Sequence, residues 1–417
     1  MKYNRFKMGV LSYILLLFIY SCEDKIIEPP KATPEVEESI PPDNISTDDS
    51  NNNNNNNNNQ DISEIGNGSG QIIIKDIMNK NYIIKSGTYQ NITIKNVNNV
   101  SITGLDKVKI SNGDMYIQNV NELTITNISF ENWGQHSINI FDNADNLTLK
   151  NLKFKNINNS VIAFNKNKKY DGTPESYSEN IQLINIYAEN IGTLFGSAGG
   201  LKSNGFFGLI KGFKLMRSTI INSPTLSNGI YLNLAEDYEI SNNLIKNVNS
   251  KNNDHNGIFH VIGNGKIFGN KITDHQGNGV RAWLLSIVKP DAIVEIYNNI
   301  VYNSTRYGAF ELQVTPWMYS MSLFKPANAK IYNNTAGKLN TGEPKYFEGR
   351  LLDLYNISGT LEIYNNLSFN NRDELLINNM SDTKIIRNES NQYFKDGNDA
   401  IFDLTNFKSK IAGVGAN

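Results

Sequence analysis

Four ionisable residues stand at similar places in a recurring strand phrase. They are His260 in Phe259-His260-Val261, Arg281 in Val280-Arg281-Ala282-Trp283, Glu311 in Phe310-Glu311-Leu312 and Asp353 in Leu352-Asp353-Leu354. Side chains alternate along a strand, so if the flanking apolar residues face a core, these four face outward. On stacked strands about 5 Å apart they form one column. Cleavage of a uronate polymer by elimination needs a group that neutralises the carboxylate, a base for the C5 proton and an acid for the leaving oxygen. Arg281 suits the first role, although an arginine needs an unusual environment to act as a base itself. His260 titrates near neutrality and suits either of the others. His260, Arg281 and Glu311 are therefore the expected catalytic set. Hydrolysis would instead use two carboxylates, Glu311 with Asp353. Trp283, Tyr307 and Trp317 can stack on sugar rings. Asp353 and His255, the latter beside Asp254 in the preceding turn, extend the expected substrate contacts. A rival register, aligned on Gly257, Gly279 and Gly308, puts Arg281 one residue out of step and turns His260 and Glu311 inward as a structural pair.

These residues need a scaffold that repeats. One phrase, alternating apolar residues followed by Asn and another apolar residue, occurs as Leu123-Thr-Ile-Thr-Asn127-Ile, Leu147-Thr-Leu-Lys-Asn151-Leu and Ile181-Gln-Leu-Ile-Asn185-Ile. It continues through Asn242-Asn243, Asn270, Asn298-Asn299, Asn333-Asn334, Asn365-Asn366 and Asn388. A second phrase precedes many copies, as in Asn228-Gly-Ile-Tyr-Leu and Asn256-Gly-Ile-Phe-His. One period is too small to bury its own apolar face, so neighbouring periods must stack. A recurring inward Asn then forms an amide ladder between coils, which removes the cost of burying it unpaired. The long excursions, 165–179, 198–211, 285–292 and 313–327, follow equivalent strands and are expected to wall a groove on one side.

The phrase Tyr82-Ile-Ile-Lys-Ser-Gly87-Thr88-Tyr89 resembles the opening of pectin-lyase-like right-handed β-helices, and the Gly-Ile-x-Leu and Ile-x-x-Asn phrases resemble their coils. The resemblance covers nearly all of 71–417. It implies an all-β, single-stranded right-handed parallel β-helix with short caps, near Ile72–Met78 and after Tyr393. It carries no catalytic set: the Arg-x-Pro-x-x-Arg phrase of pectate lyases and the Asn-Thr-Asp, Gly-His-Gly and Arg-Ile-Lys phrases of polygalacturonases are missing. No acidic calcium cluster is evident and no cofactor is expected; acidic loop residues such as Asp171 and Glu175 are the ones that calcium would use.

Upstream, Lys2, Arg5 and Lys7 precede an apolar run, Val10–Tyr20, too short for an ordinary membrane span and suited to an export signal. Ile19-Tyr20-Ser21-Cys22 resembles a bacterial lipobox, which makes Cys22, the one cysteine of the chain, the lipidated residue. Residues 1–22 are thus read as a lipoprotein signal. Residues 23–70, with Pro29, Pro30, Pro34, Pro41, Pro42 and an unbroken tract from Asn51 to Asn59, are read as a disordered tether. The expected location is the outer membrane of a Gram-negative bacterium, exposed at the cell surface. With 19% charged residues and a net charge of −2, the chain lacks the basic stripe of a nucleic-acid binder. The expected partner is a polysaccharide, and the first reading is a carbohydrate-active protein, a lyase acting on an acidic polysaccharide. A non-catalytic glycan-binding or adhesive lipoprotein and a glycoside hydrolase are the alternatives.

Overall fold

The computed structural model describes residues 62–251, 255–314 and 324–416. The export signal, Cys22, most of the tether, Asp254 and Trp317 lie outside the described residues.

Strands of each coil pair in parallel with equivalent strands of the next. Gln71–Ile84 pairs with Asn91–Gly104, that with Met115–Thr126, and that with Ile138–Lys150. Equivalent residues recur after as few as 20 positions near the start and as many as 42 farther on. The result is a right-handed parallel β-helix, the hand that connections between parallel strands of one sheet overwhelmingly take. One continuous core fills it, from Ile72 to Ile363, because every second strand residue is apolar and faces inward.

Asparagine does two separate jobs at the corners. Asn127, Asn151 and Asn185 take positive φ of 60°, 55° and 53°, a conformation that Asn tolerates better than most side chains. Their amides bond from coil to coil on the outside, Asn151 to Asn127 at 3.3 Å and Asn185 to Asn151 at 2.7 Å. The residue after each is a buried Ile128, Leu152 or Ile186. From Asn243 onward that next position is itself asparagine. Asn243, Asn270, Asn299, Asn334, Asn366 and Asn391 form an internal ladder, each Nδ2 donating to the next Oδ1 at 2.8–3.0 Å. The expected inward ladder therefore exists in the later coils, and in the earlier ones the Asn of the phrase is the outer corner residue.

The ends differ from expectation. Ile62–Ile65 is already a strand paired with Asn81–Ile84, so the folded part begins inside the stretch read as tether. Ile72 and Ile74 are buried core residues of the first long strand and form no separate cap. Beyond Phe394 the chain enters the short helix Gly397–Ala400, capped by Asp396. Ile401, Phe407 and Val414 then pack with Leu367 and Phe369. This C-terminal cap lies along the outer face of late coils, tied by Ala416 N to Thr335 Oγ1 at 2.9 Å.

The long excursions meet in pairs. Gly200–Lys202 and Gly205–Phe207 form a hairpin that bridges to Lys169, and Ser286 bridges to Lys325. Buried Glu236 anchors the 285–292 excursion by accepting from Ser286 Oγ (3.0 Å), Ile287 N (2.6 Å) and Val288 N (2.9 Å).

Candidate functional site

The parallel register settles the two alignments. Gly257 pairs with Asn278, not Gly279, and Phe259 with Val280, so His260 faces the same way as Arg281. Arg281 in turn pairs with Glu311, and Glu311 with Asp353. The four residues stand in one outward column between apolar inward columns. Upstream the same column reads Thr93, Tyr116, Asn139, Ala163, Gly196 and Tyr231. Histidine, arginine and carboxylate side chains thus occupy it only from His260 onward among these positions.

The column faces outward but is covered. The turn carrying His255, the turn carrying Tyr307 and the segment from Lys338 to Leu351 fold over it. Asn340 pins that last segment, donating to Tyr346 O (2.8 Å) and Glu348 O (2.7 Å). Gly349, at φ +116°, passes so close to Asn340 that any Cβ would lie 2.4 Å from it. Glu311 and Asp353 have no exposed surface and His260 very little.

Glu311 is the hub. Its Oε1 accepts from Arg281 Nε (2.9 Å) and Gln313 Nε2 (2.6 Å), and its Oε2 from Asn278 Nδ2 (2.7 Å). His255 Nε2 lies 2.7 Å from the same Oε2 and 3.0 Å from Oε2 of buried Glu348. The His255 ring stacks flat on Tyr307, 4.6 Å between centroids, and Tyr346 meets Tyr307 edge-on. Burial works against a charged His255, but Glu311 and Glu348 together outweigh it and raise its pKa to about 9. Arg281 also donates through Nη1 to the His255 carbonyl at 2.7 Å. Its stem crosses Gly257, where a Cβ would lie 2.5 Å from Arg281 Cβ.

Several expected site residues have other surroundings. His260 sits edge-on between Tyr231 and Trp283, and burial, then the charges of Arg281 and His255, lowers its pKa to about 3. It is a neutral imidazole at neutral pH, not the exposed titrating group that alternation implied. Tyr307 is buried with one face taken by His255, so it offers no platform to a sugar. Asp353 accepts from Gly349 N (2.8 Å) and Asn378 Nδ2 (3.3 Å), which makes it a buried organiser of the covering segment and not a substrate contact. Burial raises its pKa to about 7 against the pull of the Gly349 amide. A pairing of Glu311 with Asp353 for hydrolysis is disfavoured by the same burial, because neither carboxylate reaches the surface. Trp283 is half-buried, with the Arg281 guanidinium 5.8 Å from its ring.

Glu348, Tyr346, Tyr355, Asn278 and Gln313 escaped the sequence reading. Glu348 arrives on an excursion before its strand, whereas the expected loops follow theirs. The signal available was the length between Asn334 and Leu352, with Glu348 set beside Gly349.

No protein-family model matches the chain, and no curated protein matches it in sequence. Among solved structures it is similar to a PL6 alginate lyase in complex with a trisaccharide, with 11% identity, covering 85% of this chain and 87% of that one, TM-score 0.34. It is also similar to PfbA, a surface adhesin of Streptococcus pneumoniae, with 11% identity, 75% and 82% coverage, TM-score 0.41. A third is a pectate lyase from Bacillus sp. N165 in complex with trigalacturonate, with 12% identity, 78% and 89% coverage, TM-score 0.35. At such identities the likeness is one of fold, and it says nothing about the chemistry of the column.

Proposed function

We propose that the chain is a carbohydrate-active β-helix protein that engages an acidic polysaccharide on its later coils, and that it acts there as a lyase. The observation that carries this reading is the change within one outward column. Six coils of neutral residues, the last carrying Tyr231, give way to His260, Arg281, Glu311 and Asp353, beside the rings of Trp283 and Tyr346. Arg281 and His255 keep side-chain exposures of 17% and 29%, so positive charge reaches the surface where the carboxylates do not. A uronate carboxylate is the sugar group that such a pair attracts. Arg281 would neutralise that carboxylate, while Trp283 and Tyr346 offer apolar surface to the ring.

The burial of Glu311 and Asp353, and the weak basicity of a His260 imidazole lowered to about 3, favour a second reading, glycan binding without cleavage. The test is incubation of the full-length chain with a panel of uronate-containing polysaccharides. Ultraviolet absorbance of an unsaturated uronate product, lost in Arg281→Gln, is the expected result. Retention on a glycan without product would establish the second reading. Neither product nor retention would remove both.

Cys22 is proposed as a lipid anchor that holds the folded part at the cell surface through the Pro- and Asn-rich segment, on the strength of the lipobox. Cys22→Ala is expected to release the protein from the membrane fraction; continued retention there would overturn the anchor.

A further inference from the structure

His255, Glu311 and Glu348 bring one nitrogen and two carboxylate oxygens within 4.8 Å of one another. Their arrangement leaves a polar atom unserved. Glu348 Oε2 is buried and takes no hydrogen bond, although it lies 3.0 Å from His255 Nε2. A ring nitrogen carries a single proton, and the shorter contact, 2.7 Å to Glu311 Oε2, claims it. Two carboxylate oxygens therefore converge on one N–H, and the second is left without a partner at a cost that a buried acceptor rarely bears.

We infer that His255, Glu311 and Glu348 form a binding site for one divalent transition-metal ion of the zinc class. An ion in place of the single proton serves all three atoms at once. Metal–ligand bonds of about 2.0–2.2 Å in tetrahedral geometry put ligand atoms about 3.3 Å apart. The observed 2.7 and 3.0 Å contacts need to open by only a few tenths of an ångström to reach that separation.

The surroundings fit ligands held in place. The second oxygen of Glu311 is fixed by Arg281 and Gln313, and that of Glu348 accepts from the Tyr355 hydroxyl. Tyr307 sets the plane of the imidazole by stacking. Such outer partners orient the donor atoms before an ion arrives. The donor set selects the ion. Calcium and magnesium take oxygen ligands, six to eight for calcium, whereas an imidazole with two carboxylates and an open position suits zinc and its first-row neighbours. Arg281 opposes a cation nearby, but the two carboxylates carry more charge than it cancels. The partly exposed His255 marks the side from which an ion enters. The site stands independently of the polysaccharide reading, since the metal alone can test it.

The experiment uses the full-length chain, freed of metal by a chelator and titrated with Zn²⁺ by calorimetry. Co²⁺ is added in parallel to read ligand-field absorption. One equivalent of Zn²⁺ per chain and a saturable Co²⁺ spectrum are expected. Glu348→Gln and His255→Gln, each checked for the wild-type circular dichroism spectrum, should weaken uptake by about tenfold or more. A wild-type chain that takes up no Zn²⁺ and gives no saturable Co²⁺ spectrum would overturn the inference. Uptake that persists unchanged in both folded variants would overturn it as well, by placing the ion elsewhere.

Discussion

The earlier and later coils of this β-helix fill the same two positions with opposite chemistry. At the inner corner, Ile128, Leu152 and Ile186 give way, through Ser218, to a buried amide stack from Asn243 to Asn366 that ends on half-buried Asn391. On the outward column of another strand, Tyr116, Asn139, Ala163 and Gly196 give way to His260, Arg281, Glu311 and Asp353. The two changes fall in the same part of the chain. An apolar corner gains from burial but sets no direction, whereas each amide in a ladder accepts from one coil and donates to the next in fixed geometry. The coils that must hold charged groups at fixed distances are thus the ones whose corners are locked by hydrogen bonds. The early coils serve as a plain extension of the same core.

The largest effect that would break or uphold this contrast is at Glu311. Glu311→Ala takes from Arg281 its carboxylate partner and from His255 the nearer of its two, leaving only Glu348 beside the imidazole, and a loss of about 3–5 kcal/mol is expected in urea unfolding. Tyr116→Ala, at the same column of an early coil, should lose less. Equal losses would mean that the later column is no more organised than the earlier one.

Next in size is the ladder. Asn299→Leu removes the acceptor used by Asn270 and the donor to Asn334, and it strands the Ile267 carbonyl. About 2–3 kcal/mol of destabilisation is expected by thermal unfolding. Leu152→Asn should cost a similar amount for the converse reason, since no amide lies above or below it in the early coils. If Leu152→Asn were neutral, the corner would not discriminate between the two halves.

Titration gives a finer test, with opposite signs at the two ends of the His260–Asp353 column. His260 is lowered from 6.5 to about 3, so the unfolded chain binds its proton first as pH falls. Its contribution is present above pH 6.5 and is lost toward pH 3. Asp353 is raised from 3.8 to about 7, so the folded state holds its proton more tightly. Stability therefore falls as pH rises from about 4 to 7 through this group. His260→Phe should make stability decline more steeply with rising pH, and Asp353→Asn should make it climb more steeply. Shifts of the same sign in both variants would contradict these environments.

The smallest change belongs to the exposed corner. Asn151→Gly keeps the left-handed backbone and loses only exposed amide bonds to Asn127 and Asn185. A change under about 1 kcal/mol is expected by denaturant midpoint.

The repeating coil was legible because burial imposes period-two alternation on every strand and a turn residue at every corner. The column was legible for the same reason: Phe259, Val280, Phe310 and Leu352 had to point inward, which sent their successors out. Its register was ambiguous because glycine recurs for more than one cause. Gly257 makes room for Arg281, and Asn278 fills the matching place one coil later. The cover was not legible at all. Glu348 reaches His255 from a coil far along the chain, and only the folding-over of Lys338–Leu351 brings the two together. Exposure was misjudged at His260, Tyr307 and Asp353 for that reason: strand alternation tells which face a side chain takes, not what lies on top of that face.

The most direct measurement compares the two halves of one column in a glycan assay. Full-length wild type, Arg281→Gln and Asn139→Ala are each passed over immobilised uronate-containing polysaccharides, with product absorbance followed in solution. Arg281→Gln is expected to lose retention and product while Asn139→Ala keeps both. Loss in Asn139→Ala with Arg281→Gln unaffected would contradict this and place the working surface on the early coils.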